Sequence, residues 1–247
     1  MTTHSQRLRE TVSLVRGPLS SLIHEVWFHP RLSELYPEFL FAMYGITVGS
    51  APAMRAAAAR CSTMIADDPL AAWLRDYYVE HAEEEAGHEE WLLNDLASLG
   101  VSRERALQRL PYATVAALVG VQYYWMFHVH PIAYLGYISV VEEPASMEFL
   151  ETVSRRTGIS LTSMSGHVMH ATLDPDHIAE FDAALDSLPL LQHHQDLITV
   201  SAIATVAHLE NVLSDILEHF ARIADPVSAA TIFTSPRVAL ASASRED

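Results

Sequence analysis

An apolar stripe between residues 68 and 100 is interrupted by ionisable side chains, and this constrains how the chain can fold. The stripe follows Asp68-Pro69, an N-cap and N1 pair, and it ends at Gly100, where a C′ glycine belongs. Its apolar members recur at helical spacing, as Leu70, Leu74, Tyr77, Tyr78, Leu92, Leu96 and Leu99. The spacing predicts one helix over Pro69–Leu99 with a face built for burial.

Ionisable residues continue this buried face at His81, Glu84, Glu85 and His88. Bare carboxylates are costly in a protein core, so they are paired, protonated or bound to a metal. Glu85 and His88 stand three residues apart, which lets them share one ion from a helical face. This ExxH step is part of carboxylate-bridged di-iron sites. A polar seam or a buried ion pair explains the same pattern, and both interpretations stay open at this point.

The chain as a whole is predicted to be all-α, because long Ala/Leu-rich segments alternate with sparse Gly and Pro and strict period-two alternation is absent. The predicted helices are Pro18–Phe28, Arg31–Ile65, Pro69–Leu99, Arg103–Leu110, Tyr112–Glu142, Ala145–Thr157, a broken segment Ser163–Leu185, and Leu190–Ile223. Residues 1–224 are predicted to form a single domain. Residues 225–247 are Ser/Ala-rich, and we expect them to form a loose C-terminal arm.

Composition excludes several classes of function. The net charge of −16 argues against nucleic acid or an anionic membrane surface as a partner. All 15 basic residues are Arg, so a Schiff-base lysine and a P-loop lysine are excluded. Cys61 is the one cysteine, which excludes an internal disulfide and fits a reducing cytoplasm. The first residues, Met1 to Arg9, lack an apolar signal-peptide core. We therefore expect a cytoplasmic protein.

The segment Pro111–Val141 contains no Asp, Glu, Arg or Lys and is long enough to span a bilayer. It carries polar residues and no flanking positive cluster, so we interpret it as a central core helix rather than a membrane span. The segment leads into Glu142, a second carboxylate at the end of an apolar helix. Tyr134 and His128 share the helical face of Glu142 and are predicted to contact substrate. In the alternative interpretation, Glu142 marks only the point where the helix reaches water.

A third segment, Ser165–Glu180, holds His170, Asp174 and His177 in an HxxxDxxH spacing, with His167 one turn earlier. On one helical face, two imidazoles and a carboxylate suit iron, manganese or zinc. Pro175 complicates a straight helix, because proline disfavours α geometry at the residue before it. In the alternative interpretation, Asp174 caps a surface helix that begins at Pro175 and the histidines are incidental.

Together the three segments resemble the haem-oxygenase-like di-iron oxidases and oxygenases, a broad family of iron-containing redox enzymes. The resemblance covers roughly residues 30–220 and depends on HAEEEAGHEEWLLNDLASLG, YLGYISVVEEP and HATLDPDH. It implies six metal ligands, of which Glu142 bridges: Glu85, His88, Glu142, His170, Asp174 and His177. It leaves His81 as an additional or replacement ligand. Glu84 and Glu143 are the neighbours that could displace the chosen carboxylates.

The resemblance further implies a bundle of about seven helices without haem, two Fe(II) ions and dioxygen as a co-substrate. Reactions in this family include N-oxygenation, oxidative C–C cleavage, desaturation and nitrile formation on small amino-acid or fatty-acid substrates, often in natural-product biosynthesis. We expect an external electron donor and a homodimer. Alternatives are a metal-independent thiaminase-like or quinone-cofactor-synthase-like enzyme on the same bundle, and a non-catalytic iron-binding protein.

Overall fold

The computed structural model describes residues 2–142 and 145–224, without the side chains of 173–177 and 224. These residues form eleven α-helices and no strand: α1 His4–Val15, α2 Gly17–Trp27, α3 Leu32–Ser62, α4 Ala71–Glu84, α5 His88–Ser98, α6 Arg103–Gln108, α7 Ala113–His128, α8 Tyr134–Val141, α9 Met147–Thr157, α10 Ser165–Ser187 and α11 Gln192–Ala224. The all-α prediction is confirmed, but the predicted count of seven is too low. The predicted C-terminal arm, 225–247, lies outside the described residues.

The predicted helix Pro69–Leu99 is two helices. Its chain turns at Gly87, whose φ of 98° is left-handed and suits glycine alone among common residues. Helix α4 ends before this turn at Glu84, and α5 begins after it at His88. The N-terminal end also differs from the prediction. Helix α4 begins at Ala71, and Asp68 Oδ1 accepts a hydrogen bond from Leu70 N at 2.9 Å, one residue before the helix. Gly100 is left-handed at φ 87°, which confirms the predicted C′ glycine.

The predicted helix Tyr112–Glu142 is also two helices, separated by a short 3₁₀ turn at Pro131–Ala133. Proline disfavours α geometry at the preceding residue, and His130 is accordingly extended at φ −161°, ψ 137°. Both ring nitrogens of His130 make contacts that stabilise this break. Its Nδ1 accepts from Ile132 N at 3.1 Å, and its Nε2 lies 2.9 Å from Oδ2 of Asp68.

Pro175 does not break α10, contrary to the prediction, because α10 is held at both ends. Near its C-terminal end, Asp186 accepts from Ser5 N at 2.7 Å and Asp182 pairs with Arg9. These contacts dock α10 against α1, a helix that the sequence analysis missed. Helix α1 begins with a capping box formed by Thr3 and the third residue of the helix.

The longest helices, α3 and α11, organise the bundle. Helix α3 packs against α4, α5 and α7, and α11 packs against α1, α2, α7 and α8. Helices α8 and α11 approach each other closely at Gly136, where an added Cβ would clash with the carbonyl oxygen of Ile198. The helix Gln192–Ile223 is long and apolar enough to cross a bilayer by length and composition alone. A core helix of a bundle satisfies the same two criteria.

A buried carboxylate anchors the N-terminal end of α10. Asp95 on α5 has no exposed surface and accepts from Ser165 N at 2.9 Å, Ser165 Oγ at 2.6 Å and Gly166 N at 2.9 Å. It thereby satisfies first-turn N–H groups that no helical carbonyl can reach. Gly166 leaves room for this contact, because an added Cβ would lie 2.9 Å from Leu92 Cδ2. The helix that carries the third predicted motif is therefore positioned by α5.

Replacing Asp95 with Ala is expected to lower the free energy of unfolding by about 3 kcal/mol, because three buried donors lose a charged acceptor. Urea unfolding followed by circular dichroism measures this change. Glu83→Ala removes an exposed acid from α4, and as a matched control it should change stability by less than about 0.5 kcal/mol. Equal effects of the two substitutions would contradict the anchoring role.

Candidate metal centre and cavity

A cavity of ≈ 400 Å³ lies inside the bundle, at the low end of the range for small-molecule sites. The cavity runs along one face of α2, where Leu19, Ile23 and Trp27 line it at helical spacing. Arg16, the residue just before α2, continues this face. Arg16 and Trp27 are eleven positions apart, which corresponds to about 16 Å along a helix axis. The cavity is therefore elongated, and most of its lining is apolar. Its ionisable lining residues are Arg16, Glu85, His88, Glu142, His167 and His170.

Glu85 and His88 meet at the turn between α4 and α5 and both line the cavity. Oε1 of Glu85 lies 3.3 Å from Nδ1 of His88, and the two side chains are 13% and 9% exposed. The sequence analysis placed them on one face of a continuous helix. The structure brings them together through the Gly87 turn instead, since Glu85 caps α4 and His88 is the first residue of α5.

His170 of α10 joins this pair. Its ring meets the His88 ring edge-on, with 5.2 Å between ring centroids. Trp91 lies one turn after His88 and stacks on it at 4.0 Å, while its ring is 5.9 Å from His170. The first and third sequence motifs therefore converge, and Trp91 restrains both imidazoles. The sequence analysis missed Trp91.

A second pair forms around Glu142. Oε1 of Glu142 lies 3.4 Å from Nε2 of His81, and Oε2 of Glu84 lies 3.2 Å from Nδ1 of the same histidine. Tyr77 stacks on His81 with 4.7 Å between ring centroids. The structure thus brings the second motif to the first helix through His81. Glu143, which could replace Glu142 as the carboxylate ligand, lies outside the described residues.

The ionisation of these groups follows from their mutual contacts. Burial raises the pKa of Glu85, but the contact with His88 and the charges of His88 and His170 outweigh burial, so this pKa lies below its ordinary value. Burial lowers the pKa of His81, but Glu142 and Glu84 outweigh it and raise this pKa overall. Glu85 is therefore a carboxylate at neutral pH, and it is available as an anionic ligand.

Burial raises the pKa of Tyr137, and the charges of Glu85 and Glu142 raise it further. The same two carboxylates act on Tyr134, although there burial and neighbouring tyrosines contribute more. Glu85, Glu142 and Tyr137 line the same cavity, so the two carboxylates belong to one site.

One observation on His88 indicates that these side chains could hold a metal. Its Nδ1 is buried and makes no hydrogen bond to any residue that the structure describes. The 3.3 Å contact with Glu85 lacks the geometry of a hydrogen bond. A buried ring nitrogen without such a bond requires an explanation, and a metal ligand is one. Carboxylate and imidazole donors suit iron, manganese or zinc.

Within the described side chains, no three ligand-type residues converge as a complete metal cluster. The site consists of the two carboxylate–imidazole pairs, with His170 beside the first. The side chains of Asp174 and His177, the remaining predicted ligands, lie outside the described residues. Their backbone belongs to α10, so the HxxxDxxH spacing lies on one continuous helix. The alternative in which Asp174 caps a helix beginning at Pro175 is therefore wrong.

The two predicted substrate contacts do not line the cavity. Tyr134 is 1% exposed and stacks on Tyr137, which does line it. His128 is exposed and packs against Tyr124. The predicted face shared by His128 and Glu142 does not exist, because the Pro131 break separates α7 from α8. The sequence analysis also missed cavity residues of α2, and the helical spacing of Arg16, Leu19, Ile23 and Trp27 was the available signal.

Comparison with known proteins identifies a family and a fold. A family model described as iron-containing redox enzyme matches residues 38–211, a range that includes every residue of the two pairs. No curated protein sequence resembles the chain closely enough to count as a match.

Solved structures share the fold. A domain of unknown function with a haem-oxygenase-like fold from Shewanella denitrificans OS217 matches with TM-score 0.74 and 21% identity, covering 88% of this chain and 93% of that chain. A TenA homolog from Pseudomonas syringae pv. tomato str. DC3000 matches with TM-score 0.65 and 16% identity over 86% and 92%. A TenA homologue from P. horikoshii OT3 matches with TM-score 0.58 and 18% identity over 87% and 98%. The predicted haem-oxygenase-like bundle is confirmed.

Proposed function

Because the chain belongs to the iron-containing redox enzyme family, we propose that it is a non-haem di-iron oxygenase or oxidase. Its substrate is a small amino-acid-derived or fatty-acid-like molecule, and dioxygen is the co-substrate. The observation that carries the proposal is the meeting of Glu85, His88 and His170 on the wall of an apolar cavity that Glu142, the partner of His81, also lines. Such a wall places a substrate next to the ligands.

Each residue has a stated role in the proposal. Glu85 and His88, with His170 in reach, would hold one iron; Glu142 would bridge, and the predicted ligands Asp174 and His177 would complete the second site. Bound iron would supply the redox chemistry that dioxygen activation needs. Trp91 keeps the His88 and His170 rings in place, as outer-shell partners of metal ligands do. The apolar wall excludes water from the reacting groups. An external electron donor restores the ferrous state.

The TenA homologues share the fold and suggest a thiaminase-like function as the alternative. That chemistry needs a nucleophilic cysteine. Cys61, the sole cysteine, is fully buried and does not line the cavity. Burial raises the pKa of its thiol to about 12, which keeps it protonated and unreactive. These observations favour the di-iron proposal.

Iron counting tests the proposal directly. After anaerobic loading with Fe(II) and removal of excess metal, elemental analysis is expected to find about two iron ions per chain. Loading with Zn(II) under the same conditions is the comparison. A stoichiometry near zero, or binding of zinc alone, would contradict a di-iron enzyme.

Metal loading is also expected to stabilise the fold. Metal bound to the folded state alone adds about 2.7 kcal/mol at a free concentration 100 times Kd, which corresponds to roughly 5–10 °C in melting temperature for a chain of this size. Calorimetry with and without Fe(II) or Mn(II) measures the shift. An unchanged melting temperature at millimolar metal would leave the two carboxylate–imidazole pairs as ordinary buried ion pairs.

A further inference from the structure

His167 lines the cavity one turn before His170 but in different surroundings. Its ring lies edge-on to Trp27 at 5.2 Å and nearly parallel to Phe39 at 5.7 Å. Tyr36 packs beside it with 6.0 Å between ring centroids. Aromatic rings on several sides restrain the imidazole in one orientation, so its polar atoms have defined positions.

The protonation of His167 follows from this enclosure. Burial, followed by the charge of His170, lowers the pKa of His167 to about 4, so the imidazole is neutral near pH 7. A neutral imidazole has one nitrogen that donates and one that accepts a hydrogen bond. Which nitrogen donates is decided by the partner of the other.

Tyr36 decides the tautomer. Its side chain has no exposed surface, and burial raises its pKa well above the ordinary value, so the phenol keeps its proton. The hydroxyl lies 3.2 Å from Nδ1 of His167 and makes no other hydrogen bond within the described part of the chain. A buried phenol donates where it can. We assign the hydroxyl as donor to Nδ1, which leaves the proton of His167 on Nε2.

Nε2–H has no hydrogen-bond partner among the described residues, and the ring borders the cavity. We propose that His167 is a substrate-recognition residue whose Nε2–H donates to an uncharged carbonyl oxygen of the substrate, such as that of an amide or ketone. This inference takes the cavity to be the substrate site of the proposed function. It also separates His167 from the metal ligands, since a protonated Nε2 cannot coordinate a metal.

The charge around His167 favours an uncharged acceptor. Among the described lining residues, Arg16 is the only Arg or Lys side chain. It stands at the other end of α2 from Trp27, about 16 Å along the helix axis. A carboxylate at His167 would lose its hydration and receive only a neutral donor in exchange, which is costly. A carbonyl oxygen loses less hydration and gains a fixed hydrogen bond.

Two probes of similar shape test the proposal on the full-length protein. Phenylacetamide carries a carbonyl oxygen, and isobutylbenzene replaces its amide by an apolar group of similar size. Quenching of tryptophan fluorescence reports binding, because Trp27 contacts His167. His167→Phe is expected to weaken phenylacetamide binding about tenfold, the loss of one buried hydrogen bond, and to change isobutylbenzene binding less than about twofold. His167→Gln, which restores an N–H donor, should recover most of the phenylacetamide affinity.

NMR of protein labelled with ¹⁵N-histidine reports which ring nitrogen of His167 is protonated. A purely structural role of His167 would not change this second readout. In the wild-type protein, His167 should show a protonated Nε2 whose resonance shifts on addition of phenylacetamide. In Tyr36→Phe, both tautomers should appear. The proposal is overturned if the wild-type protein does not bind phenylacetamide, if Nε2 is unprotonated, or if His167→Phe weakens both probes equally. Iron counting is a separate measurement, so the di-iron proposal and this inference can fail independently.

Discussion

His88→Ala is expected to lower the iron content of the loaded protein from about two ions per chain to well below one. His88 is the imidazole whose buried Nδ1 makes no hydrogen bond to the described residues, and its removal leaves Glu85 without its histidine partner. Loss of a metal ligand costs more than the 10–100-fold in affinity that is typical of outer-shell partners. Elemental analysis after anaerobic loading measures the change.

His128→Ala is the matched control for this experiment, because it removes an exposed histidine of α7 whose ring packs beside Tyr124 and does not line the cavity. It should retain the wild-type iron content. Circular dichroism of both variants confirms that they are folded. If His88→Ala binds as much iron as His128→Ala, the Glu85–His88 contact is a structural ion pair and the first half of the site is misassigned.

Asp174→Ala is expected to retain about one iron per chain and to abolish dioxygen consumption. Asp174 is predicted to ligate the second ion, whereas Glu85 and His88 are proposed to hold the first. Reduction of dioxygen across a two-metal site requires both ions. An oxygen electrode measures consumption by the Fe(II)-loaded protein, and elemental analysis of the same sample gives the iron content.

Ser187→Ala serves as the control on the same helix, since Ser187 is exposed and its hydroxyl donates to the Ala184 carbonyl oxygen within α10. It should consume dioxygen at the wild-type rate. Wild-type consumption by Asp174→Ala would show that Asp174 is not a ligand. Loss of both irons from Asp174→Ala would instead place it at a bridging position, the role that the proposal gives to Glu142.

The sequence by itself determined the helical class of the fold and most of the candidate site. Helical periodicity is local, because residues three and four apart meet on one face whatever surrounds them. Ionisable residues on such a face are conspicuous, since an unpaired charge in a core is costly. Glu85, His88, Glu142 and His170 were all found in this way, and the structure brings the four to one region.

Local pattern could not determine where the long helices turn. The Gly87 turn and the Pro131 break both fall inside segments whose periodicity continues across them. A glycine or proline inside a helix has a modest local cost that tertiary contacts can outweigh or reinforce. Pro175 stayed inside α10 because α1 and α5 hold that helix at its two ends. The eight predicted helical segments became eleven helices in the described residues, because two segments are split and α1 was missed.

Tertiary structure alone decided which side chains support the site. Asp95 meets the start of α10 across 70 residues of sequence, and Tyr36 meets His167 across 131. No spacing rule connects such positions, because they become neighbours only when the helices pack. The residue types that can bind a metal were visible in the chain. Which imidazole faces a carboxylate and which faces an aromatic wall depended on the packing of α10 against α5, α2 and α3.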